Sequence, residues 1–249
     1  MEFLIVIAVA LAASALTLFS GFGLGTLLLP AFALVFPLEV AIAATAVVHL
    51  ANNLFKGTLL RNDANWRVVG RFGVPALLFA FLGAWLLLRI PDATVASWQL
   101  GEVTRLGLVV GSMIVAFALF DLIPRLRAWS VGERHLPIGG ALSGFFGGLS
   151  GHQGALRSVF LTKTGMDARA FVATGVFCAI LVDVGRLLVY GVGGLRPDDA
   201  WLVATACVAA FAGAYIGKRL LGKVTIDQVR TLVGALLLVM GGAIAGGVV

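Results

Sequence analysis

Ten apolar runs, separated by short polar or glycine-rich interruptions, occupy almost the whole chain. They lie near residues 3–20, 24–36, 38–55, 68–90, 103–123, 137–149, 155–162, 168–191, 199–217 and 227–249. A helix of about 20 apolar residues is long enough to cross the ~30 Å hydrocarbon core of a bilayer. With 60% hydrophobic and 12% charged residues, the chain has too little polar surface to cover a soluble domain. The sequence therefore predicts an all-α polytopic membrane protein.

Three of these runs, 24–36, 137–149 and 155–162, are too short to cross a bilayer alone. The first follows a glycine-rich break near 21–26, and the other two surround a second break at 151–158. Backbone that leaves the helical conformation at membrane depth survives only inside protein or beside a water-filled cavity. We interpret each broken pair of runs as a re-entrant or broken helical hairpin.

The two halves of the chain resemble each other at an offset of about 130 residues. Ser20-Gly21 aligns with Ser150-Gly151, Gly83 with Gly213 and Arg89 with Arg219, while Gly25 and Thr45 align with Gly154 and Thr174 at an offset of 129. Interrupted segments at corresponding positions of two halves indicate the binding site of a transporter. We predict a first membrane repeat at 1–124, a cytoplasmic linker at 125–136 and a second membrane repeat at 137–249.

The distribution of Lys and Arg distinguishes two topologies. If all eight segments cross fully, each side of the membrane carries 9 of the 18 basic residues. If the two broken segments are re-entrant, loops 56–71, 125–134, 157–169 and 218–230 share one side and carry 14, which leaves 4 opposite. The positive-inside rule favours the second arrangement, with six crossing helices, inverted repeats and both termini outside the cytoplasm.

The two glycine-rich breaks are the first candidate site. A short helix that begins inside the membrane directs free N–H groups and the positive end of its dipole toward a cavity, which favours an anion. The candidate substrate-binding residues in the breaks are Gly23, Gly25, Thr26, His152, Gln153, Gly154, Arg157 and Ser158. The structural alternative is glycine-mediated helix packing, with Arg157 at the membrane surface.

A polar stripe on the run at 38–55 is the second candidate. Its members, Thr45, His49, Asn52, Asn53 and Lys56, recur at helical spacing on one face. Such a stripe is expected to face the interior of the bundle, where His49, Asn52 and Asn53 would bind substrate or His49 would carry a proton. The alternatives are a structural hydrogen-bond network and, for Lys56, a side chain that extends to the membrane surface instead of acting in coupling or gating.

A third group, Asp183, Arg186 and Tyr190, occupies positions i, i+3 and i+7 of one apolar run. The spacing predicts an ion pair within the helix. The functional alternative is that Asp183 accepts a coupling proton while Arg186 guides anions.

Other functions are disfavoured by particular residues. Gly148-Leu149-Ser150-Gly151 fits the short pattern of intramembrane serine proteases, but in that family the histidine follows the serine on a later span, and no histidine follows His152. The basic residues cluster in loops rather than on a soluble face, so no nucleic-acid partner is expected. Cys178 and Cys207 lack metal-ligand spacing and are interpreted as packing residues. We therefore expect no enzyme activity and no cofactor.

The order of the motifs resembles the TauE/SafE family of sulfite and organosulfonate exporters over essentially the whole chain. The motifs are a glycine-rich break followed by Pro30, then Pro37 with Ala41 and Thr45, then Trp66 in a polar loop and Gly83, repeated as Gly144 to Gly154 with Ala170 and Thr174. The resemblance implies a secondary carrier in a plasma membrane, bacterial by expectation, with sulfite or a sulfonate as substrate. Carriage of a carboxylate, sulfate or thiosulfate, proton coupling and a homodimer all stay open.

The chain departs from the family pattern at the second break. His152-Gln153-Gly154 stands where the family has consecutive glycines, and Val159 or Phe160 stands where a second proline is usual. The added side-chain donors favour a substrate with more groups to satisfy than sulfite, such as a sulfonate with a second polar end.

Overall fold

The computed structural model describes residues 2–17, 24–99, 101–194, 199–220 and 226–248. Their helices are α1 (Glu2–Thr17), α2 (Leu24–Ala33), α3 (Leu38–Leu60), α4 (Trp66–Val68), α5 (Val74–Leu87), α6 (Arg105–Leu122), α7 (Pro124–Arg127), α8 (Leu136–Ser150), α9 (Gly154–Leu161), α10 (Ala168–Val192), α11 (Ala200–Leu220) and α12 (Ile226–Ala245). Two strands, β1 (Thr94–Trp98) and β2 (Gly101–Thr104), form an antiparallel hairpin. The predicted class, an all-α polytopic membrane protein, is confirmed.

Five helical segments are long and apolar enough to cross a membrane. They are Leu38–Asp63, Trp66–Leu87, Arg105–Leu122, Ala168–Val192 and Ala200–Gly217. Shorter apolar helices lie at Phe3–Ala15, Leu24–Ala33 and Thr231–Ala245. The short α2, α8 and α9 fall where the sequence predicts incomplete spans, because glycines and polar residues interrupt the apolar runs there.

The segment Trp66–Leu87 contains one irregular turn. A π turn at Val69–Gly73 joins α4 to α5. Pro75 has no N–H to donate to the carbonyl of Arg71, and its ring crowds that carbonyl, so a regular α-turn is disfavoured at this point. Trp66, which the sequence places in a polar loop, instead begins α4, because the side chain of Asn65 caps the helix by accepting from the N–H of Val68 at 3.2 Å.

The main packing pairs join helices from opposite halves of the chain. α8 packs along α5, and α1 packs along α11, each pair running parallel. α3 packs against α10, and α6 against α12, each pair running antiparallel. This pattern is symmetric between the two halves. When α1, α3, α5 and α6 are matched in that order with α8, α10, α11 and α12, each packing pair corresponds either to another pair or to itself.

Glycines make the closest of these contacts. Gly140, Gly144 and Gly148 of α8 lie at intervals of four against Phe72, Ala76 and Ala80 in Trp66–Leu87. A Cβ at Gly144 would lie 2.0 Å from the carbonyl oxygen of Ala76, so only glycine permits this approach. Gly213 and Gly217 of α11 contact α1 in the same way. Small residues at intervals of four are the usual means of close helix packing in membranes.

Three loops rich in basic residues lie at one end of the bundle. The N–H of Val131 donates to the carbonyl of Val159 at 3.1 Å, which joins loop 125–134 to the end of α9. Arg169 forms an ion pair with Asp63 at 3.0 Å, which joins the next loop to the end of α3. The fourth loop of the charge count, 218–230, includes residues outside the described part of the chain.

The β-hairpin marks the other end of the bundle. It follows α5, which runs away from the basic loops, and its strand β1 is exposed throughout. The indole Nε1 of Trp98 donates to the carbonyl of Gly246 at 2.7 Å, so the hairpin is tied to the residues that follow α12.

Candidate functional site

A small cavity that opens to the outside lies between the starts of α2 and α9. It is lined by Gly25, Thr26, His49, Phe117, Asp121, Gly151, His152, Gln153, Gly154, Ala155, Arg157 and Leu237. The starts of α2 and α9, which adjoin the two breaks predicted from the sequence, both contribute to this lining. The first N–H groups of each helix have no carbonyl within their own helix to bind.

Gly151 forms the turn of the second break. It has φ of +81°, a left-handed conformation that glycine adopts without penalty, and its N–H donates to the carbonyl of Gly147 at 2.9 Å. A Cβ at this position would also lie 2.7 Å from Nη1 of Arg186. The chain thereby leaves α8 at Ser150 and enters α9 at Gly154 within three residues.

His152 and Gln153, which lie inside this turn, are each only 2% exposed. Nδ1 of His152 lies 2.9 Å from the carbonyl oxygen of Ser150, and because a carbonyl only accepts, Nδ1 must be the donor. Nε2 of His152 and both amide atoms of Gln153 have no hydrogen-bond partner within the described residues. Buried polar atoms are normally satisfied by protein, water or a ligand, so these three atoms are the polar groups at the second break that the surrounding protein leaves unsatisfied.

The first break is described from Leu24 onward, and Gly23 lies outside the described residues. Gly25 and Thr26 begin α2 and line the cavity. A Cβ at Gly25 would lie 3.4 Å from Cδ2 of His49, so α2 begins directly against the polar stripe of α3.

The stripe on α3 divides between the cavity and the packing around it. His49 lines the cavity, with 12% of its side chain exposed. Asn52 instead accepts from the hydroxyl of Ser14 in α1 at 3.2 Å. The Nδ2 group of Asn53 lies 3.1 Å from Nδ1 and 3.4 Å from Nε2 of His49. Lys56 is only 6% exposed, so its side chain does not extend to the surface.

The predicted ion pair within α10 is present. Nε and Nη2 of Arg186 donate to Oδ1 of Asp183 at 3.1 and 2.7 Å, and both side chains are fully buried. The second oxygen, Oδ2, lies 2.6 Å from Nδ1 of His49. Tyr190, one turn further along, donates to the carbonyl of Gly148. The polar groups of α3 and α10 therefore form one network across the interface between the halves.

The buried charges around the cavity leave an excess of positive charge. Lys56, Arg157 and Arg186 are buried cations, whereas Asp183 is the one buried acid among the described residues. Asp121 adds a second carboxylate at the cavity wall, which still leaves three cations against two acids. A buried charge without compensation is costly, so the arrangement favours a small anion in the cavity.

Other candidates lie away from the cavity or were not foreseen. Ser158 uses its hydroxyl to donate to the carbonyl of Ala155 at 2.7 Å and does not line the cavity. Phe117, Asp121 and Leu237 line it without having been predicted. The ring of Phe117 stacks on that of His152 at 6.2 Å between centroids. Asp121 could have been predicted as a candidate from the sequence, because it is a lone acid near the end of an apolar run.

The serine of the protease-like pattern is engaged in its own helix. The hydroxyl of Ser150 donates to the carbonyl of Phe146 at 3.1 Å. His49 is held by Asp183, and the nearest nitrogen of His152, 3.3 Å from that hydroxyl, donates to a backbone carbonyl. The histidine nitrogen that lies near the Ser150 hydroxyl is therefore a donor that cannot accept the serine proton, so the geometry around Ser150 shows no activated nucleophile.

Comparison with known proteins gives one match. The family model described as sulfite exporter TauE/SafE matches residues 6–244. No curated protein matches the chain, and no solved structure does.

Proposed function

The chain belongs to the TauE/SafE sulfite exporter family, and from this premise we propose that it is a secondary carrier that exports sulfite or a small organosulfonate by alternating access. Members of this family are membrane transporters of anions, and the five long apolar helices fit that role. The observation that carries the proposal is the shared cavity, which both helix starts line and which positive charge surrounds.

The anion binds between the starts of α2 and α9. Two N-terminal helix ends that point at one place attract negative charge through their dipoles and their N–H groups. Arg157 supplies a guanidinium at the same wall, which suits the oxygens of a sulfonate or sulfite. The unsatisfied atoms of His152 and Gln153 support a guest at this position.

The substrate is a sulfonate that carries a second polar group. Nδ1 of His152 is a donor, so Nε2 of the neutral ring is an acceptor, and Oε1 of Gln153 is a second acceptor. A fully ionised oxyanion has no proton to give to such atoms. A hydroxyl, amine or protonated acid at the far end of a sulfonate satisfies them.

The carrier spans the membrane with six helices and two re-entrant hairpins in inverted repeats, and both termini lie outside the cytoplasm. The shared position of the basic loops at one end of the bundle supports this orientation. The membrane is the bacterial plasma membrane. An inside-negative potential favours the exit of an anion that moves alone by about 2.3 kcal/mol per charge per 100 mV.

Equilibrium binding to the purified protein tests the assignment of the site. The panel contains sulfite, ethanesulfonate, a hydroxyalkanesulfonate, acetate, sulfate and thiosulfate. We expect saturable binding of sulfonates, weakened by Gln153→Ala and unchanged by Gln99→Ala, a matched control in the exposed β-hairpin. If no anion showed saturable binding, the proposal that the protein is an anion carrier would be refuted. If acetate or sulfate bound more tightly than the sulfonates, the proposed substrate would be wrong. Equal binding of sulfite and the hydroxyalkanesulfonate, with no effect of His152→Ala, would refute the second polar group.

Site-directed labelling tests the topology. Cysteines placed at Gly132, which has open space around it, and at the exposed Lys163 are expected to react from the cytoplasmic face. A cysteine at Val95 in the exposed strand β1 is expected to react from the opposite face. Reaction of the first two positions from opposite faces would exclude the re-entrant arrangement.

A further inference from the structure

We infer that His49 is a proton-binding site whose occupancy is linked to the anion, so that the carrier takes up a proton when it binds its substrate. This inference rests on the proposed function and adds a second ligand to the same cavity. It follows from the position of one imidazole ring between a buried carboxylate and the cavity.

The carboxylate fixes the orientation of the ring. Both guanidinium bonds from Arg186 go to Oδ1 of Asp183, and they hold that side chain in its ionised form. The other oxygen, Oδ2, accepts a hydrogen bond, so Nδ1 of His49 at 2.6 Å is the donor. The ring proton of neutral His49 is therefore on Nδ1, and Nε2 carries the lone pair.

The opposite edge of the ring faces the start of α2. Cδ2, which is bonded to Nε2, is the atom of His49 nearest to a Cβ built at Gly25. The same residue lines the cavity with Gly25 and Thr26. The next nearest ring atom to that Cβ is Cγ, so the Cγ–Cδ2 edge of the ring faces α2, while Nδ1 is turned toward Asp183 and Nε2 lies 3.4 Å from Nδ2 of Asn53.

The two protonation states of His49 differ in the charge that they bring to the cavity wall. The neutral ring brings none, so it does not attract an oxyanion. The protonated ring brings a positive charge that attracts an oxyanion, and the buried carboxylate of Asp183 stabilises that charge from the other side of the ring. Asn53 can bond to Nε2 in both protonation states, because its amide N–H can donate to the neutral ring and, after the amide flips, its oxygen can accept from the protonated ring.

Other charges surround the ring from each helix packed around it. They are Lys56 on its own helix, Asp183 and Arg186 on α10, His152 and Arg157 beside the second break, and Asp121 on α6. Arg186 donates to Asp183, and Nδ1 of His152 donates to the carbonyl of Ser150. We expect both hydrogen bonds to be kept when His49 gains a proton at Nε2. Asp121 is the competing proton site at the cavity wall, and the experiment must separate it from His49.

Linkage gives the magnitude. If one proton strengthens anion binding, the anion strengthens proton binding by the same factor. For one linked proton, the affinity for the anion falls by up to tenfold for each unit of rising pH.

The experiment measures protons taken up by weakly buffered, purified protein when it binds ethanesulfonate, a strong-acid anion that does not itself titrate near neutral pH. We expect uptake approaching one proton per anion for the wild type, and none for His49→Gln. His152→Gln and Asp121→Asn bind more weakly but still take up the proton. The matched control His135→Gln, at a histidine in the loop before α8, retains both binding and uptake.

The outcomes separate this inference from the function on which it rests. Anion binding without proton uptake by the wild type overturns the inference and leaves the carrier intact, whether or not the variants fold. Uptake that is lost in Asp121→Asn and kept in His49→Gln also overturns it. If only sulfite binds, uptake is taken as the difference between the wild type and His49→Gln, because sulfite contributes its own protons equally to both. Failure of every anion to bind refutes the carrier itself.

Discussion

The row of glycines on α8 makes a quantitative prediction for Gly144→Ala. The added Cβ would lie 2.0 Å from the carbonyl oxygen of Ala76 and 2.6 Å from its Cα, both backbone-bound atoms that cannot rotate away. Ordinary contact begins at 3.4 Å, so α8 and α5 must separate by about an ångström or more. Overpacking of this kind costs roughly 1–3 kcal/mol, and in a chain of this length each kcal/mol lowers Tm by roughly 2–4 °C.

The assay is thermal unfolding in detergent, followed by anion binding on the folded variant. Gly191→Ala is the matched control, because it lies in α10 with open space around it, and there alanine is favoured over glycine by up to about 1 kcal/mol. We also expect Gly144→Ala to bind anions more weakly, since α8 carries the second break into the cavity. If Gly144→Ala were as stable as Gly191→Ala, close parallel packing of α8 on α5 would be wrong.

Three further substitutions test the network and its surroundings. Asp183→Asn leaves Arg186 buried without its counter-charge and should lower the free energy of unfolding by about 3–5 kcal/mol, measured in denaturant; a loss below 1 kcal/mol would contradict the buried ion pair. Gly151→Ala forces a side chain into a left-handed turn against Arg186, so it should lower Tm and weaken anion binding together, and unchanged binding would place the break away from the site. Arg169→Ala removes an ion pair with Asp63 in which the arginine side chain is 71% exposed, so it should lower the free energy of unfolding by no more than ~1 kcal/mol; a larger loss, measured in denaturant, would contradict a weak surface pair.

The helices and the second break could be predicted from the sequence because each has a local cause. Apolar runs determine where helices lie, and the interruption at 151–153 coincides with a glycine that adopts positive φ. The ion pair between Asp183 and Arg186 was also predictable, since spacing within one helix determines which side chains meet. Repetition at an offset of about 130 residues predicts an equivalent break at 21–26, of which the structure describes the part from Leu24, where α2 begins.

Contacts between distant segments could not be predicted from spacing. His49 and Asn52 lie on the same stripe of α3, yet Asn52 bonds to α1 while His49 bonds to α10, because positions three residues apart on a helix differ in direction by about 60°. Asp121 lines the cavity only because α6 crosses α9, and a single sequence carries no record of that crossing. The hairpin at β1 and β2 lies in a stretch too short and mixed for a strand signal.

The exchange of partners between halves bears on how the protein is made. Helix α1 has its glycine-lined neighbour in α11, which is synthesised much later. Until α11 emerges from the ribosome, α1 sits in lipid or against the insertion machinery with that face uncovered. Neither half is therefore a self-sufficient folding unit, and two separately expressed halves should accumulate only when both are present in the same membrane.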